Sequence, residues 1–143
     1  MKNFIILNPS SSGGKTLENL GMLKQKLSEF KIDYDLYISK STQDLTIKVR
    51  ENIEHYENFI SFGGDGTIHN IANILAGSRK NIGCIPVGSG NDIARNLDIS
   101  MDMEKALNII KKGRIKRLDM GLINNKYYYL GVSGSGFDSV VTD

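Results

Sequence analysis

The sequence concentrates its chemistry in three polar turns. The most informative is Gly63-Gly64-Asp65-Gly66-Thr67. Glycines let a backbone turn sharply and approach a ligand closely. A carboxylate cannot meet bare phosphate favourably, so Asp65 among amides suited to phosphate implies a divalent cation between acid and anion. Thr67 is placed to cap the following helix and to donate to a phosphate oxygen. A tight turn with Asp65 as a helix cap is the competing reading. The second turn, Gly88-Ser89-Gly90-Asn91-Asp92, pairs an amide for ligand recognition with a second carboxylate. Its Gly-x-Gly matches half of a dinucleotide fingerprint, but Ile93 stands where the third glycine belongs, so that match is poor. The third turn runs from Asn8-Pro9 through Gly13-Gly14-Lys15-Thr16. Gly-Lys-Thr is the end of a Walker A loop, yet Pro9 occupies the position where that motif needs glycine. A flexible turn feeding a helix N-terminus still offers amides and a positive dipole end to phosphate, and Lys15 adds charge. An ordinary connecting loop remains the alternative. Asp119, in Leu118-Asp119-Met120-Gly121, is a further carboxylate on an expected strand; it needs a partner or water there, or lies on a surface edge.

The elements around these turns alternate. Short apolar runs at 2–7, 34–38, 59–62 and 82–87 read as strands. Between them, helical spacing covers 16–30 (Leu20, Leu23, Leu27, Phe30), 41–54 (Leu45, Val49, Ile53) and a stretch through Ile68, Ile71, Ala72 and Leu75. A short helix is expected over 93–97. Ser100 then looks like the N-cap of a helix carrying Met103, Ala106, Leu107 and Ile110, with Gly113 as its C-cap. Strands alternating with helices predict an α/β fold, a Rossmann-like parallel sheet with helices on both faces. Ligands of such sheets bind beyond the carboxyl ends of the strands, where all three turns fall. After Gly113 the pattern changes to two strands, 116–123 and 126–132, joined at Asn124-Asn125. We therefore expect one α/β lobe over 1–120 and the truncated start of a second, β-rich lobe over 121–143.

Composition narrows the classes. With 143 residues, 40% apolar and 24% charged, the chain is long and apolar enough for one folded domain and unlike a disordered tail. A net charge of +2 implies no nucleic-acid partner. The apolar run at 4–7 is far too short for a membrane span or a secretory leader. The single cysteine, Cys84, cannot form an internal disulfide; its apolar neighbours suggest a buried thiol and a cytoplasmic setting. His55 and His69 lack further ligands at metal spacing and read as structural or solvated. Five basic residues within 111–117 read as a solvated connector, with contact to an anionic membrane surface as the sharper alternative.

Taken in order, Asn8-Pro9 with Gly-Gly-Lys, Gly63 to Thr67, Pro86-Val87-Gly88-Ser89-Gly90-Asn91-Asp92-Ile93-Ala94-Arg95, Asp119-Met120-Gly121 and Gly134-Ser135-Gly136-Phe137-Asp138 resemble the N-terminal lobe of the diacylglycerol kinase family. That family includes bacterial lipid kinases and sphingosine kinases and, more distantly, NAD kinase. The resemblance covers essentially the whole chain. It implies an ATP-binding lobe that transfers the γ-phosphoryl of ATP to a lipid hydroxyl, diacylglycerol in the first instance, at a membrane surface. By resemblance, Asn8, Lys15, Gly64, Asp65, Gly66, Thr67, Gly88, Ser89, Gly90 and Asn91 would hold the nucleotide, and Asp65, Asp92 and Asp119 would organise Mg²⁺. Asp65 is the catalytic position within this stretch, while the general base is expected in the second lobe, leaving the isolated lobe inactive.

Two departures accompany the resemblance. Asn70 stands where members often carry Glu, and Ser12 where they usually carry Gly. The alternatives are a phosphotransferase with a soluble acceptor such as NAD, and a non-catalytic nucleotide-binding module. Exposed sheet edges also allow a homo-oligomer.

Overall fold

The computed structural model describes residues 2–87 and 90–130. Gly88, Ser89 and the expected features at 131–143, including the motif at 134–138, lie outside the described residues. Four strands form one sheet: β1 (Asn3–Leu7), β2 (Tyr34–Ile38), β3 (Asn58–Gly63) and β4 (Asn81–Pro86). Every pairing is parallel, in the order β2-β1-β3-β4. All five β1 residues are buried, as a central parallel strand requires, and its sequence is accordingly almost unbroken apolar.

Side chains alternate between the sheet's two faces. Ile5, Leu7, Ile60, Phe62 and Ile85 pack with Leu23 and Leu27 of α2 (Leu20–Glu29) and with Leu107 of α6 (Met103–Lys111). On the other face, Phe4, Ile6 and Phe59 meet Leu45 and Val49 of α3 (Thr42–Asn52) and Ile71 and Leu75 of α4 (Asp65–Leu75). Phe4 is stacked on Tyr56 with ring centroids 4.9 Å apart and meets Phe59 edge-on at 5.8 Å, arrangements that suit ring quadrupoles. Helices thus cover both faces, as the alternating pattern predicts. No helix among the described residues is long and apolar enough to cross a membrane.

Several boundaries differ from those expected. The helix expected over 16–30 is broken at Asn19 into α1 (Lys15–Glu18) and α2, and a 3-10 turn (Ser11–Gly14) precedes it. Asn19 sits at the break: its backbone amide keeps its bond to the Lys15 carbonyl at 3.1 Å and its side-chain amide adds a second at 2.7 Å. Ser100 is not the N-cap of α6. Asp102 is, its carboxylate accepting from the Lys105 amide at 2.9 Å, while the Ser100 hydroxyl oxygen accepts from the Asp102 amide one turn earlier. Gly113 does follow the helix end, with φ +60 and a bond to the Ile110 carbonyl. The two long strands expected after it shrink to β5 (Gly121–Ile123) and β6 (Tyr127–Tyr129), an antiparallel hairpin outside the main sheet. Residues 114–119 are exposed and form no strand, since among the described residues no strand pairs with them.

Candidate functional site

The chain leaves β1, passes through β2 on one side, and returns to place β3 on the other side of β1. Strand order therefore reverses between β1 and β3, and the crevice above their carboxyl ends is where such a sheet receives a ligand. The registers put Leu7 level with Phe62 and Gly63 level with Pro86. The turns after β1, β3 and β4 consequently open onto one edge. In the first, the Asn8 side-chain oxygen accepts from the Ser10 amide at 3.0 Å, a local turn that orients the loop. Gly13 and Gly14 take φ +64 and +90, which explains glycine at both positions, and Lys15 follows on an exposed first helical turn.

Asp65 joins the other two turns. It is the first residue of α4, and its carboxylate reaches across to the start of α5 (Asp92–Asn96). One oxygen accepts from the Asp92 amide at 2.9 Å and the other from the Ile93 amide at 3.0 Å. The expected tight turn is present, but Asp65 caps a helix 27 residues further along rather than its own. Its charge lies at two positive helix ends, an arrangement the peptide dipoles favour. Asn91 makes the junction possible by adopting φ +67, a left-handed conformation that asparagine tolerates; its side chain is buried. Gly90 is exposed beside the Asp65 carboxylate.

The N-cap of α4 is Gly64, which has no side chain of its own to cap the helix. Thr67 does not cap the helix as expected. It lies inside the first turn, 1% exposed, its amide bonded to the Gly64 carbonyl. Gly66 is exposed on that turn. A helix N-terminus begun by glycine at the switch point is suited to an anion. Cys84, on β4 beneath this corner, is buried as expected; burial first, and the Asp65 charge second, push its thiol up to about 12.

The carboxylates are placed unequally. Asp92 is exposed and pairs with Arg95 at 3.1 Å. Asp119 is exposed and lies in the irregular stretch before β5, not on a strand; with Ile93 and Leu97 it lines a cleft of about 230 Å³. Among the described residues, no three His, Cys, Asp or Glu side chains are gathered to hold a metal ion. Asp65, Asp92 and Asp119 therefore do not form a ready-made cage. They fit magnesium nonetheless, since that ion keeps several waters and takes only one or two carboxylates when phosphates supply the rest. Asp65 uses one amide bond per oxygen and retains further acceptor capacity on each. A cleft of about 400 Å³ beside Val87, Met22 and Met103 lies on the α2 and α6 side and is not lined by Asp65.

Two features escaped the sequence reading. The turn after β2 reaches the same edge, with Ser39 buried and its amide donating to the Leu7 carbonyl at 2.9 Å. The polar run Ser39-Lys40-Ser41 directly after a strand was the available signal. The other is Asn73, a carboxamide amid Ile71, Ala72 and Ile74, which bonds to the β6 backbone.

A parallel sheet with glycine-rich turns at its switch point defines an α/β lobe of the kind that receives ligands at its carboxyl edge. Residues 2–123 match the family described as the diacylglycerol kinase catalytic domain, and the chain belongs to that family. A diacylglycerol kinase of Staphylococcus saprophyticus is 31% identical over 127 residues, covering 87% of this chain and 42% of that protein. A Pectobacterium atrosepticum protein named "Probable lipid kinase YegS-like" is 32% identical, covering 96% of this chain and 47% of its own length. A diacylglycerol kinase crystal structure from Bacillus anthracis superposes with a TM-score of 0.76 at 29% identity, covering 88% of this chain and 47% of that one. The chain thus spans about half the length of these relatives.

Proposed function

We propose that this chain is the nucleotide-binding lobe of an ATP- and Mg²⁺-dependent lipid kinase that transfers the γ-phosphoryl of ATP to a lipid hydroxyl, with diacylglycerol as acceptor. The observation that carries this reading is the Asp65 carboxylate, which ties the Gly63 to Thr67 turn to the Asn91 to Ile93 turn at the sheet's switch point. Phosphoryl transfer needs positioning and charge neutralisation more than covalent chemistry, and this corner offers both. The α4 N-terminus and the glycine turns present amides to the phosphates. Asn8, Lys15, Gly64, Gly66, Thr67, Gly90 and Asn91 would line the phosphate chain, and Gly88 and Ser89 are assigned to it from the sequence.

Asp65 and Asp92 are the carboxylates that would hold magnesium, with Asp119 contributing through water. Magnesium bound with the nucleotide would neutralise phosphate charge during transfer. The hairpin starting at Gly121 begins the second lobe, which supplies the general base, so residues 1–120 alone bind nucleotide without turnover. The acceptor being a membrane lipid, the enzyme works at the cytoplasmic face of a membrane as a peripheral protein.

The test is phosphoryl transfer from γ-labelled ATP by the protein at its natural length. It is offered diacylglycerol in vesicles and, separately, NAD. Label in the lipid supports the proposal. Label in NAD replaces it with a soluble-acceptor phosphotransferase, and ATP binding with label in neither replaces it with a non-catalytic nucleotide-binding module.

A further inference from the structure

Helix α4 begins at Asp65, and two turns further along it carries Asn73. The Asn73 carboxamide nitrogen donates to the Tyr128 carbonyl at 2.7 Å, and its oxygen accepts from the Tyr128 amide at 3.0 Å. These are the two bonds a neighbouring strand residue would make, delivered by a side chain 55 positions away in sequence. The same nitrogen reaches the His69 carbonyl at 3.1 Å, so its own helix orients the amide. An aspartate there would lose the donor and a leucine both groups.

The hairpin needs such help. Its strands are three residues each, and a lone two-stranded hairpin is marginal in water. Leu130, just beyond β6, packs against the cluster of Ile68, Cys84, Ile93 and Ala94. Leu130 and Asp119 line the same cleft against α5 and Leu97. Docking of the hairpin on α4 therefore decides where Asp119 stands relative to the Asp65 and Asp92 corner.

We infer that Asn73 is a positioning residue. Its carboxamide clamps the Tyr128 peptide and so fixes hairpin β5–β6, and Asp119 ahead of it, against the helix that starts at Asp65. The importance of Asp119 rests on the proposed function; the clamp itself does not.

The experiment has one readout for each part. Amide hydrogen exchange is measured in the wild-type chain, Asn73→Ala and Asn73→Asp. In Asn73→Ala the Tyr128 amide should exchange about tenfold faster or more, with the Asp92 and Ile93 amides unchanged. Asn73→Asp keeps the acceptor for the Tyr128 amide and should protect it better than alanine does. Unchanged Tyr128 exchange in Asn73→Ala, or equal loss of protection at Ile93, overturns the clamp. In the protein at natural length, Asn73→Ala should lower kcat about tenfold with the KM for ATP unchanged, and adding Asp119→Asn should cost little more. Independent, additive losses overturn the link to Asp119. If the wild-type protein transfers no phosphoryl group while Tyr128 exchange responds as expected, the clamp stands and the kinase reading falls.

Discussion

The carboxyl edge of the parallel sheet and the stretch from 114 to 130 are built on opposite principles. At the sheet edge, strand positions are set by a buried core on both faces, and each turn is fixed again by a local bond: Asn8 to Ser10, Ser39 to Leu7, Asp65 to Asp92 and Ile93. In the later stretch, Ile115 is 67% exposed and Tyr127 56%, and one asparagine, Asn73, bonds to both backbone groups of Tyr128 in the hairpin. The edge that would meet phosphate is over-determined. The segment that would follow it into a second lobe is held by Asn73 and by Leu130 and is largely exposed elsewhere among the described residues.

The strongest way to break this contrast is at Asp65. Asp65→Ala should lower phosphoryl transfer by about a thousandfold, an effect of the size seen when a preorganised charge contact is removed. It should also cost about 1–2 kcal/mol of stability through the lost cap on α5. Asp65→Asn should recover much of the stability and little of the turnover. Thermal melts beside the kinase assay separate the two effects.

Core substitutions sharpen the contrast next. Phe62 is fully buried in β3, so Phe62→Ala should cost about 3–5 kcal/mol in a denaturant titration. Tyr127→Ala, on the exposed hairpin, should stay within about 0.5 kcal/mol. Equal losses would mean the hairpin is as deeply integrated as the sheet.

A smaller effect is expected at the α6 cap. Asp102→Ala should cost about 1 kcal/mol, and Ser100→Ala clearly less, since only Asp102 bonds into the first helical turn.

Cys84 gives the smallest signal and a useful one. Burial raises its thiol to about 12, so it stays protonated and should react slowly with disulfide reagents near pH 8. A thiol pKa raised by folding contributes stability that is complete below about 9, its unfolded value, and is lost as pH rises toward 12. Fast labelling in the native state would show that the corner beneath Asp65 opens.

Much of this was legible in the sequence, for reasons visible in particular residues. Continuous apolar runs made the parallel strands readable, and glycine turns after them located the edge. The motif at Asp65, paired with the one over Pro86 to Arg95, also carried the resemblance to the family. What the sequence hid were long-range pairings of short polar side chains. Nothing near Asp65 announces that its partner is the amide of Ile93, and nothing near Asn73 announces Tyr128. Asn19 is unremarkable in a helical pattern until the structure shows its side-chain amide bonded back to the Lys15 carbonyl at the point where α1 ends. Ser100 and Asp102 are both good caps, and only the geometry of the Lys105 amide chooses between them. The strands expected around Asp119 failed because a β pattern needs a neighbour, and that neighbour is absent from 114–119 among the described residues.

The central claim is that Asp65 unites two turns into a single nucleotide site, and calorimetric titration of the chain with ATP tests it most directly. Wild-type and Asp65→Ala chains are compared with and without Mg²⁺, with NAD as the control ligand. The account predicts that the wild-type chain binds ATP, that Mg²⁺ strengthens binding, and that Asp65→Ala loses the Mg²⁺ effect and most of the affinity. ATP binding of equal strength in both chains, indifferent to Mg²⁺, would contradict it.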